Sequence, residues 1–253
     1  MKMNLRIVEV NCENLAEYPP ACFISTKNEG YKIKLNWLRK RFCEGMKIKV
    51  LKDEEDGKIH GFIEYVPGES AWRAVEAKGY LFIHCIWISP NKYKNRGYGS
   101  SLINECIKDA SGKLGVAVAA SEDSFMAGKE IFLKNGFKIA AEEGKHQLLV
   151  KGSHQGSLPS FKDYKSQLSR YKGWHIVYSN QCPWVARFVN ELDKPIIDKL
   201  ELKITELSTA EEAQNAPSIY SVFTLIHDSK ILTEHYISRT RLNNIIKAAS
   251  REL

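Results

Sequence analysis

The part of this 253-residue sequence with the clearest chemistry is a basic, glycine-containing turn between a strand and a helix. The run Tyr80-Leu81-Phe82-Ile83-His84-Cys85-Ile86-Trp87-Ile88 is rich in β-branched and aromatic residues and reads as a strand closed by Ser89-Pro90. Lys94-Asn95-Arg96-Gly97-Tyr98-Gly99-Ser100 follows and opens a helical pattern. Glycines at 97 and 99 let the backbone approach a guest closely, several amide N–H groups are left over at the helix start, and the helix dipole adds about half a positive charge there. Such a turn suits an anion, and a pyrophosphate is the guest that its size and charge suggest. The same spacing also serves a plain tight turn that needs small residues.

Around this turn, short β-branched or alternating runs at 5–10, 47–51, 61–66, 80–88, 116–120 and 147–150 predict strands. Helical spacing fills the gaps. Residues 31–44 carry Ile33, Leu35, Trp37, Leu38 and Phe42, residues 99–113 carry Leu102, Ile103, Cys106 and Ile107, and residues 124–135 carry Phe125, Met126, Ile131, Phe132 and Leu133 ahead of Gly136. Strands alternating with helices predict an α/β (α+β) layer fold.

The strand–turn–helix segment resembles motif A of the GNAT superfamily of N-acetyltransferases, a Gln/Arg-x-x-Gly-x-Gly/Ala pattern in which Gly97 and Gly99 match the small positions and Lys94 stands where that family has Gln or Arg. The strand at 116–120 and the helix ending in Phe132-Leu133-Lys134-Asn135-Gly136-Phe137 resemble its motif B, so the likeness spans roughly residues 5–150. It implies the GNAT acyl-CoA acyltransferase fold with a mixed central sheet in which the strand at 80–88 splays from that at 116–120. Unpaired main-chain groups need partners. In the family those are the amides of the pantetheine arm, so the resemblance implies that Ile86, Trp87 and Ile88 bind acetyl-CoA through their backbone. It also implies that the backbone of Asn95, Arg96, Gly97, Tyr98, Gly99 and Ser100, with Lys94, holds the pyrophosphate.

The implied reaction is attack of a primary amine, on a small molecule or a peptide, on the thioester of the donor. The amine must arrive neutral, which calls for a base, and the oxyanion needs a backbone N–H. Glu64, in Gly61-Phe62-Ile63-Glu64-Tyr65-Val66, and His84, which strict alternation places on one strand face with Ile86 and Ile88, are the candidate bases. A solvated strand glutamate and a hydrogen-bonded core histidine are the alternatives. Many members of the family carry a tyrosine on the motif B helix that protonates the leaving thiolate. Phe132 stands there, and it has no proton to give. The loop between the strands at 61–66 and 80–88 contains Trp72 and Arg73, which either receive a flat or acidic group or plug the loop against the sheet edge.

Composition excludes several other classes. Hydrophobic residues make up 43 %, charged residues 26 % and mean hydropathy is -0.34, as in a globular protein. No run reaches the roughly 18 apolar residues of a membrane span, and the first residues lack the apolar core of a signal peptide, so a cytoplasmic location and no membrane partner are expected. The six cysteines form no C-x-x-C pair, which argues against a disulfide framework and a metal site. Net charge is +7, but 13 basic and 11 acidic residues lie beyond residue 160 and 24 and 19 before it, interleaved throughout. No basic stripe emerges, so no nucleic-acid partner is expected.

Domain organisation follows from a polar Lys-Gly-Ser-His-Gln-Gly-Ser-Leu-Pro-Ser tract at 151–160. We place a GNAT domain at 1–152, a linker at 153–160 and a second, smaller α/β domain at 161–253. The second domain begins with a short helical run at 161–171 and a strand at 174–178, then Gln181-Cys182-Pro183 opens a helix. Strand, cysteine, proline and helix resemble thioredoxin-like proteins, and Asn215-Ala216-Pro217-Ser218 before two strands resembles their cis-proline loop. The whole chain resembles acetyltransferases with a YoaP-like C-terminal domain, on the Gln181-Cys182-Pro183 corner and the 79–87 strand. A thiol at a helix N-terminus is activated by the dipole, which makes Cys182 a candidate substrate-facing thiol, with a packing role as its alternative. Val185 fills the place of a resolving cysteine. The alternative function is accordingly a CoA-sensing or monothiol protein that uses Cys182.

Overall fold

In the computed structural model, residues 5–20, 22–122, 126–152 and 156–249 are described. The chain packs as two units: Met1–Phe23, Leu38–Ala71 and Val75–Phe161 form the first, and Ile24–Trp37, Trp72–Ala74 and Lys162–Leu253 the second.

The first unit is built on a seven-stranded mixed sheet with the order β1-β2-β3-β5-β6-β8-β7. These strands are β1 (Leu5–Val10), β2 (Lys47–Asp53), β3 (Ile59–Pro67), β5 (Tyr80–Ile88), β6 (Gly115–Ser121), β7 (Lys138–Glu143) and β8 (His146–Gly152). Neighbours are antiparallel except β5 and β6, which run parallel. Helix α1 (Glu29–Phe42) lies between β1 and β2 in the chain; a parallel pair needs a crossover, and α2 (Tyr98–Asp109) supplies it. Its Leu102, Ile103 and Cys106 are buried against Ile63, Tyr65, Ile83, Val118 and Leu149. Helix α3 (Lys129–Lys134) adds Phe132 to the same core and ends before Gly136, whose φ of 82° stops the helix at little steric cost.

Differences from the sequence reading have local causes. The helix expected at 124–135 starts only at Lys129, after Gly128; the Ser124 and Phe125 part of that expectation lies outside the described residues. Edge strand β7, Lys-Ile-Ala-Ala-Glu-Glu, is absent from the sequence reading because its exposure follows no period-two alternation: Lys138 and Ile139 are both exposed. Beyond the glycine- and serine-rich tract, residues 160–161 form β9 (Ser160–Phe161) against β4 (Val75–Glu76), and a 3₁₀ turn at Lys165–Arg170 replaces the helix expected at 161–171.

The second unit contains a four-stranded sheet with the order β11-β10-β12-β13, from β10 (Trp174–Tyr178), β11 (Lys203–Glu206), β12 (Phe223–His227) and β13 (Lys230–Thr233). Strands β10 and β11 are parallel, and β12 is antiparallel to both β10 and β13. Asp228 and Ser229 turn the last hairpin with φ of 45° and 68°, the double left-handed geometry that matches strand twist. Helices α4 (Pro183–Asn190), α5 (Lys194–Leu200), α6 (Ala210–Gln214) and α7 (Arg239–Ala249) complete it, with Ile176, Val185, Phe188, Phe223, Leu225 and Leu242 in one core. The cis bond expected at Pro217 is corrected: among the described residues the cis peptide is Ser89–Pro90. Among the described residues no helix is long and apolar enough to cross a membrane.

Candidate functional site

Strands β5 and β6 pair only from Tyr80↔Gly115 to Ile83↔Val118. Beyond that, β5 stays with β3 as far as Gly61↔Ile88, and β6 stays with β8 as far as Ser121↔His146, so each keeps its outer partner and loses the inner one. The splay implied by the resemblance is therefore present. It leaves the β6-facing backbone of Ile86, Trp87 and Ile88 outside any ladder, where polar groups call for a guest.

Directly after this gap comes the turn. Lys94, Asn95, Arg96 and Gly97 are exposed, and Asn95 and Gly97 both adopt left-handed backbone, with φ of 58° and 85°. Left-handed residues set between right-handed or extended ones curl the chain into a concavity lined by N–H groups. Gly97 is the residue before the first turn of α2, and its carbonyl takes the first helical bond, from Ser101 N at 2.9 Å. Among the described residues, the amides of 95–100 donate to no backbone carbonyl. Gly99 has a different role, since a Cβ there would lie 2.6 Å from Ile131 Cδ1, so its absence lets α2 approach α3. Lys94 Nζ lies 5.7 Å from the Trp87 ring centroid, and Trp87 is 41 % exposed.

Two anchors hold this turn that sequence reasoning missed. At its far end Asn135 Nδ2 donates to Ser100 Oγ at 3.0 Å, and Lys151 Nζ donates to the Asn135 carbonyl at 2.7 Å. At its near end is Tyr93, buried in an otherwise exposed stretch and bonded through its hydroxyl to Asp53 Oδ2. Neither carries a spacing signal, because each acts across the fold. Asp53, Asp56 and His60 offer ligand atoms within 4.8 Å of one another, but protein groups engage all three: His60 Nε2 donates to Asp56, and Asp53 accepts from Tyr93 and from Glu55 N.

Glu64 and His84 are both buried. Tyr65 pairs with Ile83 and Glu64 with Cys85, so His84 is an extra residue, a β-bulge. Leu81 and Ile83 before it, and Ile86 and Ile88 after it, all face the core under α2. His84 instead lies on the other face with Phe82, their rings edge-on at 5.9 Å. The expectation that His84 shares a face with Ile86 and Ile88 is thus corrected: one inserted residue reverses the parity. The bulge has a further consequence. Glu64 alternates with Ile63 and Tyr65, which face the α2 core, so the two candidate bases come to one sheet face at adjacent register positions.

Phe132 is fully buried, edge-on to Phe137 at 5.5 Å, and it belongs to the core. In the second unit, Trp72 is also fully buried, edge-on to Trp37 at 5.1 Å, which selects packing over an exposed receptor for a flat group among its two readings. Arg73 Nη1 donates to Gln181 Oε1 and to the Trp72 carbonyl, both at 2.6 Å, and its guanidinium lies 4.7 Å from the Tyr220 ring centroid. Cys182 is the residue before α4, half-buried, with Pro183 at the first helical position and Val185 buried.

Residues 12–137 match the acetyltransferase (GNAT) family and residues 201–244 the YoaP-like family. A Bacillus subtilis protein named an uncharacterized N-acetyltransferase, YoaP, is 29% identical over 249 residues, 94% of this chain and 97% of its own length. Among solved structures, the PaiA N-acetyltransferase of Thermoplasma acidophilum in complex with coenzyme A is similar over 60% of this chain and 100% of its own, with 19% identity and a TM-score of 0.43. A GNAT-family acetyltransferase of Brucella melitensis in complex with acetyl-CoA is similar over 64% and 97%, with 17% identity and a TM-score of 0.39. Residues 12–137 are thus similar to the GNAT family of acetyltransferases, and a region towards the C-terminus is similar to the YoaP-like family.

Proposed function

We propose that the first unit takes acetyl-CoA as donor and moves its acetyl group to a primary amine of a small molecule or peptide. The observation that carries this reading is the coincidence of the β5–β6 gap beyond Ile83 with the uncommitted amides of 95–100. A carrier with an amide-bearing arm and a diphosphate needs both features, one after the other along β5. The arm would pair with the backbone of Ile86, Trp87 and Ile88, and the diphosphate would sit on residues 95–100, with Lys94 and Arg96 adding positive charge. The family match and the name of the Bacillus subtilis relative support the same reaction class.

In this mechanism the amine nitrogen attacks the thioester carbonyl, the C–S bond breaks, and coenzyme A leaves as a thiolate. Either Glu64 or His84 takes the proton from the amine. A backbone N–H in the unpaired part of β5 stabilises the oxyanion. With Phe132 in the core, the thiolate takes its proton from water, which a thiol of pKa near 8 to 9 tolerates.

For the second unit we propose a thioredoxin-like fold. The support is its strand order, with a parallel β10–β11 pair followed by an antiparallel hairpin at the edge. The trans bond at Pro217 departs from that pattern. The division into domains at 1–152 and 161–253 stays part of this proposal, with Cys182 assigned no step.

Calorimetry with coenzyme A, and thiol release from acetyl-CoA in the presence of a panel of amines, test the proposal. Binding with amine-dependent thiol release is expected, and absence of coenzyme A binding refutes it. Between the candidate bases, substitution of the true one (Glu64→Gln or His84→Gln) should lower kcat by about 10²–10⁴ and remove the acid limb of its pH profile. Neither variant doing so would discard both assignments.

A further inference from the structure

We propose that Tyr93 is a positioning residue for the anion-binding turn, clamped between the β2–β3 hairpin and the start of that turn; the inference rests on the acetyl-CoA reading of residues 94–100. Tyr93 closes a 3₁₀ turn at Asn91–Tyr93, and the amide of the next residue, Lys94, bonds back to Asn91 O at 3.0 Å. From Asn91 to Gly97 every residue is exposed except Tyr93, which is 1 % exposed. A turn with so little buried surface has little of its own to fix its shape. One side chain therefore does most of the fastening.

The fastening is specific. The Tyr93 hydroxyl donates to Asp53 Oδ2 at 3.2 Å, and Asp53 is itself buried at the end of β2. The phenol ring stacks on His60 of β3, with centroids 4.1 Å apart and planes 18° apart. His60 is in turn held by Asp56, its Nε2 donating to both carboxylate oxygens at 3.0 and 3.2 Å, and its carbonyl accepts from Ser89 N at 2.9 Å. Both ends of the β5–turn connection are thereby tied to one hairpin: Ser89 by backbone and Tyr93 by side chain. The Tyr98 ring, on the far side of the turn, lies 6.4 Å from that of Tyr93. A diphosphate bound by several amides at once requires those amides to be placed before it arrives, because ordering them on binding subtracts from affinity. Tyr93 supplies that placement without contacting the ligand.

The structure contains its own control. Tyr65 is another buried tyrosine of the same unit whose hydroxyl donates to an aspartate, Asp109, at 2.7 Å, but at the opposite end of α2 from the turn. Tyr93→Phe and Tyr65→Phe each remove one hydroxyl bonded to a carboxylate, and both should lower the melting temperature. Only Tyr93→Phe should also weaken coenzyme A, with Kd by calorimetry rising about tenfold, as loss of a charge-assisted hydrogen bond allows. His60→Ala should raise Kd about fivefold through the lost stack, and His60→Phe, which keeps a ring beneath Tyr93, should restore it. If the wild-type protein binds no coenzyme A, the reading of the turn itself is wrong. If the wild type binds and Tyr93→Phe leaves Kd unchanged, or Tyr65→Phe raises it equally, the positioning role is overturned.

Discussion

Gly97→Ala isolates the backbone geometry of the proposed anion-binding turn from every side-chain contact. Gly97 has φ of 85°, and a Cβ built on it meets nothing within 4 Å, so an alanine there suffers no clash and only the cost of left-handed backbone. That cost is about 1–2 kcal/mol. In the free protein the exposed turn relieves it by rotating to negative φ, which points the amides of residues 96–98 elsewhere. On binding, the left-handed geometry has to be restored and the cost reappears in the affinity, as a rise of roughly 5- to 30-fold in the Kd for coenzyme A. The melting temperature without ligand should therefore change little. Gly112 provides the comparison, with φ of 80°, an equally empty Cβ position and a place beyond the other end of the 12-residue α2. At 1.5 Å per residue that helix puts it about 18 Å from the turn. Gly112→Ala should leave Kd as it is. Calorimetric titration of both variants settles the matter, and equal Kd values for wild type and Gly97→Ala would refute the claim that this glycine shapes an anion site.

The charge cluster between the C-terminal end of α2 and strands β1–β3 predicts how stability depends on pH. Burial alone would raise the Asp109 carboxyl, but hydrogen bonds from Tyr65 and Lys47, with Lys49 3.3 Å away, hold it below its ordinary value of 3.8. Its contribution is complete above that value and is lost as pH falls through the lower folded one. Burial would lower Lys49, but Glu9 and Asp109 raise it above its ordinary 10.5, so its contribution is present below that pH and lost as pH rises through the higher folded value. Urea midpoints measured across pH should fall on both limbs, and Asp109→Asn should flatten the acid limb; an unchanged acid limb would show that Asp109 is not its source. Phe132→Tyr places a hydroxyl in a fully buried site and should cost about 1–3 kcal/mol of stability without raising kcat, as thermal melts and turnover would register. Cys182→Ser should leave turnover with acetyl-CoA within about twofold, since no step of the proposed mechanism passes through the second unit.

What was legible in the sequence depended on the range of the interaction behind each feature. Strands β1 and β5 and the Gly97–Gly99 turn rest on local periodicity and on backbone geometry that few residues tolerate, and they stand where the sequence places them. Buried strands β2, β3 and β8 were found with shortened ends, because their final residues are held by pairing with neighbours rather than by their own propensity. The strand at 174–178, the helix opening at Pro183 and the two strands after Pro217 are readable for the same local reasons. Sequence alone does not choose between the two roles of Trp72, since its burial depends on Trp37, 35 positions away in the sequence. Tyr93 carries no local signal, because its partners Asp53 and His60 come from β2 and β3.

His84 shows how one residue of register changes the chemistry that a sequence seems to offer. Period-two alternation assigns it to the apolar face with Ile86 and Ile88, where a histidine would be a core residue remote from Glu64. The bulge opposite the Glu64–Tyr65 step shifts the second half of β5 by one, so Ile86 and Ile88 keep the core face and His84 moves to the face of Glu64. The same stretch is where β5 parts from β6, its last shared pair being Ile83 and Val118. A bulge increases local twist and bends its strand, which is a physical reason for a parallel ladder to end there. The bulge thus links two features that the proposed mechanism requires together: a gap between β5 and β6, and a titratable side chain turned to the face that carries the second candidate base.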